Sequence, residues 1–255
     1  MKLKKVLLGW LACAMAAGFA FAGCGGNSSS SESYSAEYIG TDGLAYELVT
    51  GKDEYRVTGL GSAEVMGIVI PNTYNGKNIS YIGAKAFYEN EQITSVTIAD
   101  KVTHIAEEAF YGCKNLQSVW MGDGVTYIGA KAFHYCSSLR SITLGQNITY
   151  IGLRAFCNCT ALTKIDIPDK VTRIGDYAFA GCQQLKSAVI PASVTILGDY
   201  AFYYCRNLSS ITYEGTKAQW NALSKGMGWN TEVKATEVVC SDGSVEFPKE
   251  DSAQE

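Results

Sequence analysis

The sequence predicts a mainly-β repeat solenoid of 23-residue units, with parallel stacked strands and short helical turns. Three observations predict it. Phe87, Phe110, Phe133, Phe156, Phe179 and Phe202 each follow an alanine and recur every 23 residues. Two aliphatic columns keep the same period: Ile82, Ile105, Ile128, Ile151, Ile174 and Leu197 before the rings, and Ile93, Leu116, Leu139, Leu162, Leu185 and Leu208 after them. A cysteine column, Cys113, Cys136, Cys159, Cys182 and Cys205, completes the register. A fixed period in this range marks a solenoid, whose units stack because none buries its apolar face alone. Each buried Phe contributes about 1.5–3 kcal/mol, so the columns are structural first.

Within a unit, Leu-x-x-Ile-x-Ile (162–167) reads as a first strand, with Ile165 and Ile167 inward at period two. Pro168, Pro191, Gly122 and Gly145 end such strands. Val-Thr-x-Ile (171–174), stopped by Gly175, reads as a second. The Ala-Phe-x-x-Cys piece is expected to be one helical turn that folds the chain back.

Residues 171–191, Val-Thr-Arg-Ile-Gly-Asp-Tyr-Ala-Phe-Ala-Gly-Cys-Gln-Gln-Leu-Lys-Ser-Ala-Val-Ile-Pro, closely resemble the bacterial BspA-like leucine-rich repeat. The resemblance runs from about Ile68 to Tyr213. It implies a curved, right-handed leucine-rich-repeat coil displayed on a bacterial surface. It also implies binding, in some members to host or matrix proteins, and no catalysis.

From the N-terminus, Lys2, Lys4 and Lys5 precede an apolar run from Val6 to Ala22, the pattern of an export signal over residues 1–23. Phe21-Ala22-Gly23-Cys24 resembles a lipobox, which implies lipidation of Cys24 and a membrane anchor. Ordinary cleavage near Ala22 is the alternative. Residues 24–36, rich in Gly and Ser, read as a flexible tether. Residues 37–78 read as an N-terminal cap and irregular first repeat. There Leu44 to Val49 and Tyr55 to Thr58 alternate like strands, and Asn75-Gly76 signals a turn. Residues 79–215 hold the six regular repeats. Residues 216–247 read as a C-terminal cap, with a short helix carrying Trp220 and Leu223, then Trp229, Val233, Val238 and Val239 as packing residues. Residues 248–255 are polar and read as a disordered tail.

The net charge of −4 comes with no basic block, which argues against nucleic acid as a partner. Besides Cys13 and Cys24 there are seven cysteines. The column of five reads as buried free thiols filling a tight corner, while Cys157, out of column, is expected nearer the surface. No paired Cys-x-x-Cys motifs support zinc, and His104 and His134 fall in different columns. No cofactor and no metal are expected. The serines are repeat positions without a matched base, and the glycines are turn punctuation, so no catalytic constellation forms.

Function is therefore sought on outward columns. The first strand presents Thr97, Trp120, Thr143, Asp166, Val189 and Thr212. Trp120 is a candidate anchor; packing on cross-strand neighbours is the competing reading. The second strand presents Tyr81, His104, Tyr127, Tyr150, Arg173 and Ile196, which stacking turns into an aromatic stripe. Aromatic ladders also serve strand stacking alone. Tyr88, Tyr111, His134 and Tyr203, with Tyr135 and Tyr204, are expected at an exposed turn edge. The expected partner is an extracellular or cell-surface protein, with a glycan as a variant. A structural envelope protein without a tight ligand is the alternative.

Overall fold

The computed structural model describes residues 40–247, all within one compact unit. The expected export signal, Cys24, the expected tether and the tail 248–255 lie outside the described residues.

The chain coils so that equivalent segments lie side by side. The second strands form one sheet of ten: the pairs His104–Ile105, Tyr127–Ile128, Tyr150–Ile151, Arg173–Ile174 and Ile196–Leu197 run parallel in register. Each contributes one outward residue and one buried aliphatic. At its start the sheet gains Lys77–Ile82, Glu54–Gly59 and the antiparallel Ala45–Leu48. A tight hairpin, Thr73–Tyr74 with Tyr74 opposite Lys77, closes over Asn75 and Gly76. Both have positive φ (47° and 75°), which Asn and Gly tolerate best. Adjacent coils approach so closely after the aliphatic column that a Cβ on Gly152 would lie 2.6 Å from the Gly129 backbone.

The first strands do not form one continuous sheet. Gly67–Ile70, Ser95–Ile98, Ser118–Met121 and Ser141–Thr143 make a sheet of four. Lys164–Asp166, Ser187–Ile190, Ser210–Tyr213, Glu237–Cys240 and Gly243–Glu246 make a separate sheet of five. Pro168 stands at the break. Earlier in the same column, the Gly122 amide donates to Ile98 O at 2.8 Å, and proline has no amide to repeat that bond. The missing amide alone does not open the sheet, since Ser187–Ile190, followed by Pro191 in the same column, stays paired with Lys164–Asp166.

The return arc is not helical. Alternate amides bond within the coil and across to the next. Lys131, Phe133 and Tyr135 donate to Leu153, Ala155 and Cys157 carbonyls at 2.7, 2.8 and 3.0 Å. Ala132 and His134 donate three residues back, to Gly129 and Lys131. This alternation needs a left-handed residue two before each Phe. Lys85, Glu108, Lys131, Arg154, Tyr177 and Tyr200 all have φ between 53° and 58°, at about 1–2 kcal/mol each for a residue with a Cβ. A helix would have turned every amide inward and left the next coil without donors.

The core is the expected ladder. The six phenylalanines are at most 2% exposed, with neighbouring rings 5.0–5.4 Å apart and tilted by no more than 11°. Each column cysteine is fully buried and free, and its Sγ donates to the Phe carbonyl of the coil before, as Cys136 does to Phe110 O at 3.1 Å. The thiol thus fills the corner and satisfies an acceptor. Cys157, expected nearer the surface, is also buried, because the arc closes over it.

The C-terminal end is a modified coil. Helix Lys217–Ala222 starts in a capping box between Thr216 and Gln219. It buries Trp220, whose ring meets Trp229 edge-on at 5.5 Å. Val238 is buried, but Val239, expected to pack, is 44% exposed because it alternates outward in Glu237–Cys240. The aliphatic column ends at Lys225, opposite Leu197, with Nζ donating to the Trp220 and Leu223 carbonyls at 2.6 and 3.0 Å. A polar residue thereby closes the apolar row.

Candidate functional surface

The two-residue strands place their first side chain outward at every coil, which makes one row on the ten-stranded sheet. Lys52 Nζ donates to the Tyr81 hydroxyl at 2.6 Å. Ring centres then follow at 5.0 Å (Tyr81 to His104), 5.7 Å (His104 to Tyr127) and 5.1 Å (Tyr127 to Tyr150), and the Arg173 guanidinium sits 6.0 Å over Tyr150. The Tyr127 and Tyr150 rings are within 19° of parallel. Because each ring leans on the next, the faces are occupied and the edges remain. Tyr81, His104 and Tyr150 are half-buried; Tyr127 and Arg173 are exposed.

The electrostatics follow from the stacking. Burial, then the Lys52 charge, lowers the His104 pKa, with Glu54 opposing; Thr103 Oγ1 lies 2.8 Å from its Nδ1. Burial first, then Tyr150 and Glu107, raises the Tyr127 phenol. The stripe is therefore neutral along its middle at pH 7 and cationic at Arg173.

Trp120 does not belong to this row. It lies on the four-stranded sheet, between Thr97 and Thr143, and is half-buried rather than exposed. Trp120, expected as an exposed anchor, and the Tyr127–Tyr150 stripe form two separate patches, because the chain turns a corner between Ser118–Met121 and Tyr127–Ile128.

The turn edge also differs from expectation. Tyr88 and Tyr111 stack at 4.8 Å, but His134 is only 7% exposed. Its ring lies 4.2 Å from Tyr135 and edge-on to Tyr111, and neither nitrogen has a hydrogen-bond partner. Burial, helped by Arg154 and Lys131, pushes its pKa down to about 4.

Three ladders escaped the sequence reading, one of threonines and two of aspartates. Thr103, Thr126, Thr149, Thr172 and Thr195 each donate Oγ1 to the backbone carbonyl one coil earlier, at 3.0–3.3 Å. Asp100, Asp123, Asp176 and Asp199 each accept an amide of the following coil. The recurring Val-Thr pair was the available signal for the first. Among the described residues no cluster of His, Cys, Asp and Glu could hold a metal ion, and no helix is long and apolar enough to cross a membrane.

Comparison with known proteins agrees with this architecture. A family model described as a BspA type leucine-rich repeat region matches in six copies over residues 80–209. The crystal structure of a T. pallidum leucine-rich repeat protein is similar at 31% identity and a TM-score of 0.66, covering 73% of this chain and 84% of that one. A leucine-rich repeat protein from Eubacterium ventriosum is similar in fold, at 22% identity and a TM-score of 0.60, over 76% of this chain and 50% of that one. No curated protein matches. With six family copies over half its length and a fold shared with these structures, the chain belongs to the BspA-type leucine-rich repeat family.

Proposed function

We propose that the chain is a non-catalytic binding protein, exported and held at the membrane through a lipid on Cys24, that engages a cell-surface or extracellular protein through its aromatic stripe. The family and its structural neighbours are typically binding proteins, and family members are typically surface or exported. The observation that carries the reading is the row Tyr81, His104, Tyr127, Tyr150, Arg173 on a rigid sheet. Tyrosine edges offer a hydroxyl and an apolar flank at low entropy cost. A glycan would seek ring faces, and here the neighbours take them, which favours a protein.

The test is affinity for a partner identified by cross-linking on intact cells. Tyr127→Ala with Tyr150→Ala should weaken binding at least about tenfold, the scale of an interface hot spot, with the melting curve little changed. Unchanged binding in that variant, with loss in Trp120→Ala, would move the interface to the other sheet. Self-association without a partner would favour an envelope-organising role. The mass of the exported protein tests the lipid on Cys24.

A further inference from the structure

The sheet that carries Trp120 is interrupted one coil further on. Ser141–Thr143 pairs only with Ser118–Met121, and Lys164–Asp166 only with Ser187–Ile190. The other sides of the same two coils stay closed: Tyr150–Ile151 pairs with Arg173–Ile174, and Phe133 stacks on Phe156 at 5.3 Å. The coils therefore part at one side only. Ile142 is half-exposed there, whereas its equivalents Val119 and Ile165 are 3% and 1% exposed.

The rift forms a groove of about 440 Å³. Leu144, Ile167 and Pro168, all buried, give it an apolar lining, and Asp166, Asp169 and Glu214 give it acidic groups. Lys164 pairs with Asp166 at 2.7 Å. Among the described residues no lysine or arginine forms an ion pair with Asp169 or Glu214. Both carboxyls line the groove. Burial, and next the Asp169 charge, raise the Glu214 carboxyl above the usual range. No basic residue lines the groove. The carboxylates do not converge as a metal site either.

We propose that this groove receives an arginine side chain of a protein partner, its guanidinium bridging the groove-facing oxygens of Asp169 and Glu214 and its methylene stem on Leu144, Ile167 and Pro168. The planar guanidinium carries five donors and can bridge two carboxylates, which a lysine ammonium does less well. Its stem covers apolar surface while the head stays polar. The inference rests on the reading of the chain as a protein-binding module, not on the aromatic stripe, which lies on another sheet.

The test is an amide-shift titration of the full chain at pH 7 with N-acetyl-arginine amide. Saturable shifts are expected at residues 142–146, 166–169 and 214. The neutral citrulline analogue should give none. Asp169→Asn with Glu214→Gln should weaken binding at least about tenfold, the scale expected for losing charge-assisted bonds. These changes are near-isosteric at exposed side chains, and an unliganded spectrum matching the parent elsewhere verifies the fold. Absent shifts, shifts confined to other residues, equal response to citrulline, or an unaffected double variant each overturn the proposal. An equal response to N-acetyl-lysine amide overturns the guanidinium assignment. Failure of the stripe variants to weaken partner binding leaves this result standing, and failure here leaves the stripe standing.

Discussion

Phe133→Ala should be among the most destabilising single changes in the chain, and Phe87→Ala measurably milder. Phe133 is fully buried and stacked on both sides, 5.0 Å from Phe110 and 5.3 Å from Phe156. Truncating a buried Phe costs about 3–5 kcal/mol in lost transfer and cavity terms. The vacancy sits between two rigid rings held by backbone bonds on either coil, so it collapses poorly and the cost falls toward the upper end. Phe87 is also buried but has one ring neighbour in the column, Phe110 at 5.0 Å. An aromatic pair is worth about 0.5–1.5 kcal/mol beyond its area, so Phe87→Ala should cost less by roughly that amount. Urea unfolding followed by circular dichroism, with m-values compared, measures both. A repeat array can lose cooperativity, so an unchanged m-value is needed before midpoints are converted. Equal losses at the two positions, or a loss below about 1 kcal/mol at Phe133 where a buried Phe should cost several, would refute the ladder as the source of stability.

Other outcomes follow from the same geometry. Thr126→Val should cost about 1 kcal/mol, because the hydroxyl bond to Thr103 O at 3.1 Å is lost; Thr126→Ser should recover most of it in the same melts. None of the seven cysteines from Cys113 to Cys240 should be alkylated in the native protein at pH 8, and all should be on unfolding, as read by peptide mass. Burial raises Cys157 to about 11 and buries the column completely. His134 has a folded pKa lowered to about 4, so the unfolded chain binds the extra proton between about 6.5 and 4. Its contribution is present above pH 6.5 and lost as pH falls through that window. His134→Phe should flatten that part of the stability–pH curve, leaving the smaller slope of His104. Pro168→Gly should allow the amide bond to Leu144 O that the column makes elsewhere, seen as slowed hydrogen exchange at position 168.

Much of the fold was legible because repetition turns sequence distance into spatial distance. Once Phe110 and Phe133 are equivalent, stacking makes them neighbours, and the same holds for Tyr127 and Tyr150. The return arc was misread as helical, since Ala-Phe-x-x-Cys has helical spacing. Two after the Phe, Gly112, Gly181 and Asn158 were available signals of positive φ, but the left-handed residues two before each Phe are lysine, glutamate, arginine and tyrosine. Nothing in their chemistry announces positive φ; the bonds to the next coil impose it. The surfaces were less legible. Trp120 and Tyr127 are seven positions apart, yet a corner puts them on different sheets.

The period by itself determined which side chains form the core, their order along the axis and the row in which the outward aromatics stand, because identical units in identical surroundings must adopt one conformation. Only the tertiary structure decided where that equivalence fails: the corner that separates Trp120 from the stripe, the arc that buries His134 and Cys157, and the rift beside Pro168. Those depend on the path of the backbone and on how neighbouring coils tilt. A repeating pattern of residue types does not encode such tilts, since each comes from the few positions where one unit differs from the next.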